Sequence, residues 1–207
     1  STAESLETLT VNENAFSLGG QSVGSLTVAG INNGVTATLT DGFSQDVTLH
    51  YGFGGGDQVN VDLVDVNYYA GQLNVAHNSP TVTLNSLGEG SENYINSGDF
   101  DSAAGGLLRE FNVTGDTFLN IDSAIDFQAG RVATVDASEN TAGVKLEVSH
   151  GADDINFTGS TGNDEADLTG SEVVVDAGEG DNSYNITAES LSLSGGDGVE
   201  TLTLIGS

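Results

Sequence analysis

Three glycine-rich stretches near the C-terminus hold the residues best suited to chemistry. They read Gly159-Ser-Thr-Gly162-Asn163-Asp164-Glu-Ala166-Asp167, Ala177-Gly-Glu-Gly180-Asp181-Asn182-Ser-Tyr184-Asn185 and Gly195-Gly-Asp197-Gly198-Val-Glu200-Thr-Leu202-Thr203. Each fits the nonapeptide G-G-x-G-x-D-x-U-x at most positions, where U is a large apolar residue. Ser160 and Ala177 replace glycines, Asn182 and Glu200 stand at the acidic position, and the small Ala166 stands at U. Glycine lets the loop turn tightly with positive φ and direct its carbonyls inward. A carboxylate or amide then completes an oxygen shell of the kind that holds Ca2+. The expected metal ligands are therefore Gly162, Asn163 and Asp164, then Gly180, Asp181 and Asn182, then Asp197, Gly198 and Glu200. Asp153, Asp154 and Asp176 flank these loops and join the set. Two upstream echoes, Gly52-Phe-Gly-Gly-Gly-Asp57-Gln-Val59 and Gly88-Glu-Gly90-Ser-Glu92-Asn-Tyr94, add Asp57 and Glu92.

Composition points the same way. The chain has 31 acidic residues against three basic ones, a formal net charge of −28. Such a surface repels nucleic acid and anionic membranes, and it repels itself in the folded state. A hard divalent cation would offset that repulsion. No Cys is present, so disulfides and thiol chemistry are excluded. No stretch approaches the roughly 18 apolar residues of a membrane-spanning helix. The absence of an initiator Met and a signal peptide reads as a mature product or a segment of something larger.

Catalytic constellations are not in view. His50, His77 and His150 lack metal-ligand spacing. Gly54-Gly55-Gly56 has no nearby Lys to make a phosphate loop, and no nucleophile elbow occurs. A solenoid polysaccharide lyase would need a basic residue near Ca2+, and only Arg109, Arg131 and Lys145 are basic. The chain is expected not to be an enzyme.

The elements that position the loops are strands. Apolar residues fall in short runs with a period of two, such as Val35 to Leu39, Val59 to Val66, Thr81 to Leu84 and Val144 to Val148. Clusters of Gly, Asn, Asp and Ser separate them, with Asn32-Asn33-Gly34 as a tight-turn signal. The only passable helix covers 102–110, weakened by Gly105 and Gly106. The C-terminal part divides without gaps into three blocks of 18 residues, 153–170, 171–188 and 189–206. Ile155, Val173 and Leu191 align, as do Phe157, Val175 and Leu193, then Ala166, Tyr184 and Leu202, then Leu168, Ile186 and Leu204. Each block is one solenoid turn of two strands, which cannot bury its core alone.

On these motifs the sequence resembles the RTX repeat family of secreted bacterial proteins. The segment Val132-Ala-Thr-Val-Asp136-Ala-Ser-Glu-Asn-Thr-Ala-Gly143-Val-Lys-Leu resembles the unit preceding such repeats in Caulobacter-type surface-layer proteins. The resemblance implies loops that bind Ca2+ in a parallel β-roll, with ions between consecutive turns. Only one edge of each block carries the motif here, which implies a single row of sites. The expectation is an all-β chain with a parallel β-solenoid over 111–207. Residues 1–110 would be a β-rich region, either more solenoid or a β-sandwich. Functionally it implies an extracellular structural protein, a subunit or segment of a calcium-dependent surface layer or filament. Its partners would be other copies of itself, with cell-surface polysaccharide as a further partner class. The competing expectation is a calcium-rigidified segment of a secreted adhesin.

Overall fold

The computed structural model describes residues 8–12, 17–18, 21–22, 25–32, 34–52, 58–68, 70–100, 107–151 and 153–206. Among them there is no helix. Strands numbered in chain order stack in parallel along rails. The first rail runs β1 (Thr8–Asn12), β5 (Thr36–Gly42), β7 (Val59–Tyr68), β9 (Thr81–Leu87), β12 (Glu110–Gly115), β14 (Ala133–Asn140), β16 (Ile155–Thr158), β18 (Glu172–Asp176) and β20 (Ser190–Ser194). The second starts where β7 turns a corner and continues through β10 (Glu92–Ile95), β13 (Phe118–Ile125), β15 (Val144–Ser149), β17 (Glu165–Thr169), β19 (Asn182–Thr187) and β21 (Glu200–Leu204). Because β7 pairs on both rails, the two form one 15-stranded sheet. A third, four-stranded rail holds β4 (Ser25–Ile31), β6 (Asp46–Tyr51), β8 (Leu73–Ala76) and β11 (Gly98–Asp99). A short antiparallel pair, β2 (Ser17–Leu18) with β3 (Gln21–Ser22), stands apart.

The chain thus winds as a β-solenoid, and its parallel pairing runs on through the N-terminal region. β9 pairs with β12 across the 110/111 boundary, in register from Thr81 with Glu110 to Ser86 with Gly115. Turn length varies along the axis and is shortest at the C-terminal end. Register partners one turn apart are 24 residues distant at Thr36 and Asn60, 29 at Thr83 and Asn112, and 18 at Thr158 and Asp176. The cross-section accordingly passes from three sides to two. The end of β13 takes over from the third rail, with Ser123 Oγ 2.8 Å from Gly98 N and 3.3 Å from Gly98 O.

Two expected features need comment. Of the helix expected over 102–110, residues 102–106 lie outside the described residues, and Glu110 already belongs to β12. Of the turn expected at 32–34, Asn33 lies outside the described residues, while Val35 N–H donates to Asn32 O at 3.1 Å and Gly34 has φ +88. The flanking strands, β4 and β5, belong to different rails.

The core is the set of inward columns these rails create. Ile155 lies over Val173 and Val173 over Leu191, while Phe157, Val175 and Leu193 form the next column. Ala166, Tyr184 and Leu202 face them from the second rail. Phe157 and Tyr184 meet edge-on at 5.8 Å, a favoured aromatic geometry. Burial of Tyr184 pushes its hydroxyl pKa up, and the hydroxyl donates to Ala177 O at 3.3 Å. Phe157 is 1% exposed. Phe157→Ala would lose its transfer energy and leave a cavity between two turns. The expected loss is about 3–5 kcal/mol of unfolding free energy, measured by urea titration.

Candidate metal centre

The motif loops form one corner of the solenoid, between the first and second rails. Three consecutive turns stack there with a spacing of 18 residues. Glycine is required because neighbouring backbones touch. A Cβ on Gly198, at φ +150, would collide with the Gly180 carbonyl, and one on Gly180, at φ +83, would crowd the Gly162 carbonyl. The corner therefore keeps the backbones of successive turns in direct contact.

Two polar columns follow from this stacking, and they differ in direction. The outer column is Asn163, Asp181 and Val199. Asn163 Oδ1 accepts the Asp181 N–H at 2.9 Å, and Asp181 Oδ1 accepts the Val199 N–H at 3.0 Å. All three residues are exposed. The inner column is Asp164, Asn182 and Glu200. Asp164 and Asn182 are each 2% exposed. Asp164 Oδ1 accepts the Val144 N–H at 2.9 Å and the Ser160 hydroxyl at 2.7 Å, while Oδ2 accepts the Ser160 N–H at 2.7 Å. Asn182 Oδ1 accepts the Asp164 N–H at 2.8 Å. Its amide donates to Ala177 O and Glu179 O at 3.1 Å and to Gly180 O at 3.3 Å.

The inward direction has a simple cause. Strand side chains alternate, so Asp164 shares a face with Ala166 and Leu168, and Asn182 with Tyr184 and Ile186. Desolvation pushes the Asp164 pKa above the ordinary carboxylate value, and its bonds to Ser160 and Val144 offset part of the rise.

A calcium shell needs six to eight oxygens. The inner column does not offer them at Asp164, whose two oxygens face hydrogen-bond donors. Glu200 differs: its Oε1 is buried and has no hydrogen-bond partner, and its carboxyl lies beside Gly195. The exposed side chains of Glu179, Asp181 and Asp197 surround the same edge. Among the described residues, no three His, Cys, Asp or Glu side chains come together closely enough to hold a metal by themselves. Any cation at this edge would draw most of its shell from loop carbonyls and water.

The remaining expected ligands are dispersed. Asp153 Oδ2 accepts the Gly130 N–H at 2.7 Å and lies 3.9 Å from His150 Nε2. Asp154 Oδ1 accepts the Glu172 N–H at 3.2 Å. Both belong to the opposite corner, before β16. Asp176 is exposed at the end of β18, in register with Thr158 and Ser194. Glu92 begins β10, in register with Phe118, and its Oε2 accepts from Asn120 Nδ2 at 3.3 Å. Asp57 lies outside the described residues.

Sequence reasoning missed the buried asparagines that clasp other corners. Asn140 is fully buried, and its Oδ1 accepts the Ala142 and Gly143 N–H groups, both at 2.9 Å. Asn93 is also fully buried. It accepts the Val66 N–H at 2.6 Å and donates to Ser86 Oγ at 2.8 Å and Leu87 O at 2.9 Å. For Asn93 the available signal was strand phase, because it alternates with exposed or half-buried residues as a core position would.

No family model, curated protein or solved structure matches the chain.

Removing the Asp164 carboxylate leaves two buried N–H groups without acceptors. Asp164→Ala should lower the unfolding free energy by about 3 kcal/mol, at roughly 1–3 per group, read by denaturant titration. The raised pKa has its own signature. A folded-state value above the unfolded one means the folded protein binds the extra proton, so stability falls as pH rises between the two. The difference in stability between wild type and Asp164→Ala should therefore shrink from the ordinary carboxylate range, about 4, upward until Asp164 is ionised, and stay flat above.

Proposed function

We propose that this chain is a non-enzymatic structural protein of the bacterial cell exterior. It would be a subunit or segment of a surface layer or filament, with glycine-rich corners related to RTX repeats and stabilised by Ca2+. The observation that carries this reading is the corner at 159–200. Three glycine loops stack there in register, exposed acids line the edge, and Glu200 turns a buried, unpartnered carboxylate oxygen toward it. The continuous stack of parallel strands also suits a structural part. The described surface is dominated by ladders of Thr, Asn, Ser and acids.

Calcium would act here as counter-charge. With a net charge of −28, the folded state carries a large self-repulsion. Extracellular modules bind Ca2+ at about 10⁻⁴ to 10⁻³ M. A site at ten times its dissociation constant adds roughly 1.4 kcal/mol. A few such sites are comparable with a domain's net stability of about 5–15 kcal/mol. Calcium shared between acidic faces would also let copies approach each other.

A calcium titration followed by circular dichroism and light scattering separates the parts of this proposal. Rising thermal stability together with growing particle size is the expected result. Equal stability in excess chelator would remove the calcium role. Stabilisation of a particle that stays small would remove the lattice and leave a calcium-rigidified adhesin segment. Glu200→Gln should weaken the calcium-induced rise in melting temperature while leaving the chelated protein's stability close to wild type.

A further inference from the structure

The three basic residues of this chain are not used alike. Lys145 Nζ lies 3.8 Å from Asp122 and 3.9 Å from Glu165, so it sits among acids of its own face. Arg109 and Arg131 form no ion pair with any described residue, although the chain carries 31 acids. Both are exposed, and both stand where strands of the first rail begin. Arg109 directly precedes β12, and Arg131 lies two residues before β14, the next strand on that rail. Arg109 Nε donates to Gln128 Oε1 at 2.7 Å, which ties the loops of the two turns together.

This edge has the composition of a contact surface. Val132 is 44% exposed beside Arg131. Pro80, whose carbonyl accepts the Arg109 N–H at 2.8 Å, and Leu107 are half-buried at the same edge. Arginine next to apolar surface is what protein interfaces favour. The acids nearby are otherwise engaged. Glu110 accepts from Thr81 Oγ1 and Asn112 Nδ2, and Asp153 accepts from Gly130 N–H. Asp126, the exposed acid of the 126–132 loop, pairs with neither arginine.

The far ends of the same strands carry the opposite charge. Glu89 follows β9, Asp116 follows β12, and Glu139 lies at the end of β14. These strands are neighbours on the first rail, so the three acids stand on successive turns. All three are exposed, and among the described residues none of their side chains has a hydrogen-bond or ion-pair partner. Each strand of the rail therefore leads from a basic edge to an acidic one. At about 3.3 Å per residue, β12 sets Arg109 and Asp116 roughly 23 Å apart, too far to meet within one copy.

Two copies placed side by side resolve both edges. A shift along the first-rail strands, with no rotation, brings the basic edge of one copy against the acidic edge of the next. Turns stay level under that shift, and both edges repeat at about 4.8 Å, so each arginine finds a carboxylate. We infer that copies of this chain associate laterally in this way, Arg109 and Arg131 of one copy against Glu89, Asp116 and Glu139 of its neighbour. The contact is heterologous and does not close, so it propagates as an open row of parallel stacks. It rests on the self-assembly reading above and supplies that reading with its lateral contact. Exposed ion pairs are individually weak, so the row would be reversible and would depend on many contacts made together.

Charge reversal of each edge tests it. One variant combines Arg109→Glu and Arg131→Glu, the other Glu89→Lys, Asp116→Lys and Glu139→Lys. Each alone sets like charges edge to edge, which should raise the concentration needed for assembly in calcium at least about tenfold, with circular dichroism unchanged. Light scattering and negative-stain microscopy give the readout. An equal mixture of the two should assemble again, because alternating copies restore opposite charges at every contact. Net charge cannot mimic this pattern, since the first variant is more negative than wild type and the second less. Either variant assembling at the wild-type concentration, or a mixture that stays dispersed, would overturn the lateral contact and leave calcium-driven assembly standing. A wild type that stays single in calcium would remove both.

Discussion

Parallel, in-register stacking governs this molecule. Each residue sits about 4.8 Å from its equivalent on the turns above and below. That repetition rewards a column of like apolar residues and penalises a column of like charges. Ile155, Val173 and Leu191 are one product of the constraint. The outward column Thr36, Asn60, Thr83, Asn112, Asp136, Thr158, Asp176 and Ser194 is another. In it, Thr158 separates the two carboxylates. A similar ladder joins Thr38, Asp62, Asn85 and Thr114 through side-chain hydrogen bonds of 3.1–3.5 Å. The chain can hold so many acids because hydroxyls and amides are interleaved with them. Glu147 over Asp167 breaks the rule, and the nearby Lys145 is within 4 Å of Asp122 and Glu165. Those pairs are about half exposed, so their contribution is small.

The same constraint explains the corner. Three tight loops in contact leave backbone N–H groups with no strand partner. Side chains from adjacent turns satisfy them: Asn163 and Asp181 from the turn before on the outside, Asp164 and Asn182 from the turn after on the inside. A short acceptor one residue past a glycine is thus a structural necessity of the stack before it is anything else. Glu200 carries the extra methylene, and the Asn182 N–H that it would serve donates instead to Val199 O at 3.0 Å. There an oxygen is left over.

Much of the fold was legible because the C-terminal turns have constant length. With 18 residues per turn, the aligned apolar pairs fall on one another and the register partners match the alignment. The N-terminal half hid the same architecture. Its turns vary in length, a third rail is inserted, and bulges at Ala29/Ile31 and Asn112/Thr114 interrupt the phase. A fixed-period comparison cannot detect that. The site was half legible. Loop position, glycines and stacking followed from sequence. The opposite directions of Asn163 and Asp164 did not, because motif matching treats neighbours alike whereas strand alternation separates them.

One consequence concerns force. The inter-strand hydrogen bonds of a solenoid run along its axis, and here β1 and β21 lie at opposite ends of that axis. Tension between the two ends loads those bonds one turn at a time, as in peeling, instead of shearing many together. The stack should therefore yield stepwise, one turn after another, and lengthen under load without losing its remaining turns. The shorter C-terminal turns would release less chain per step than the N-terminal ones.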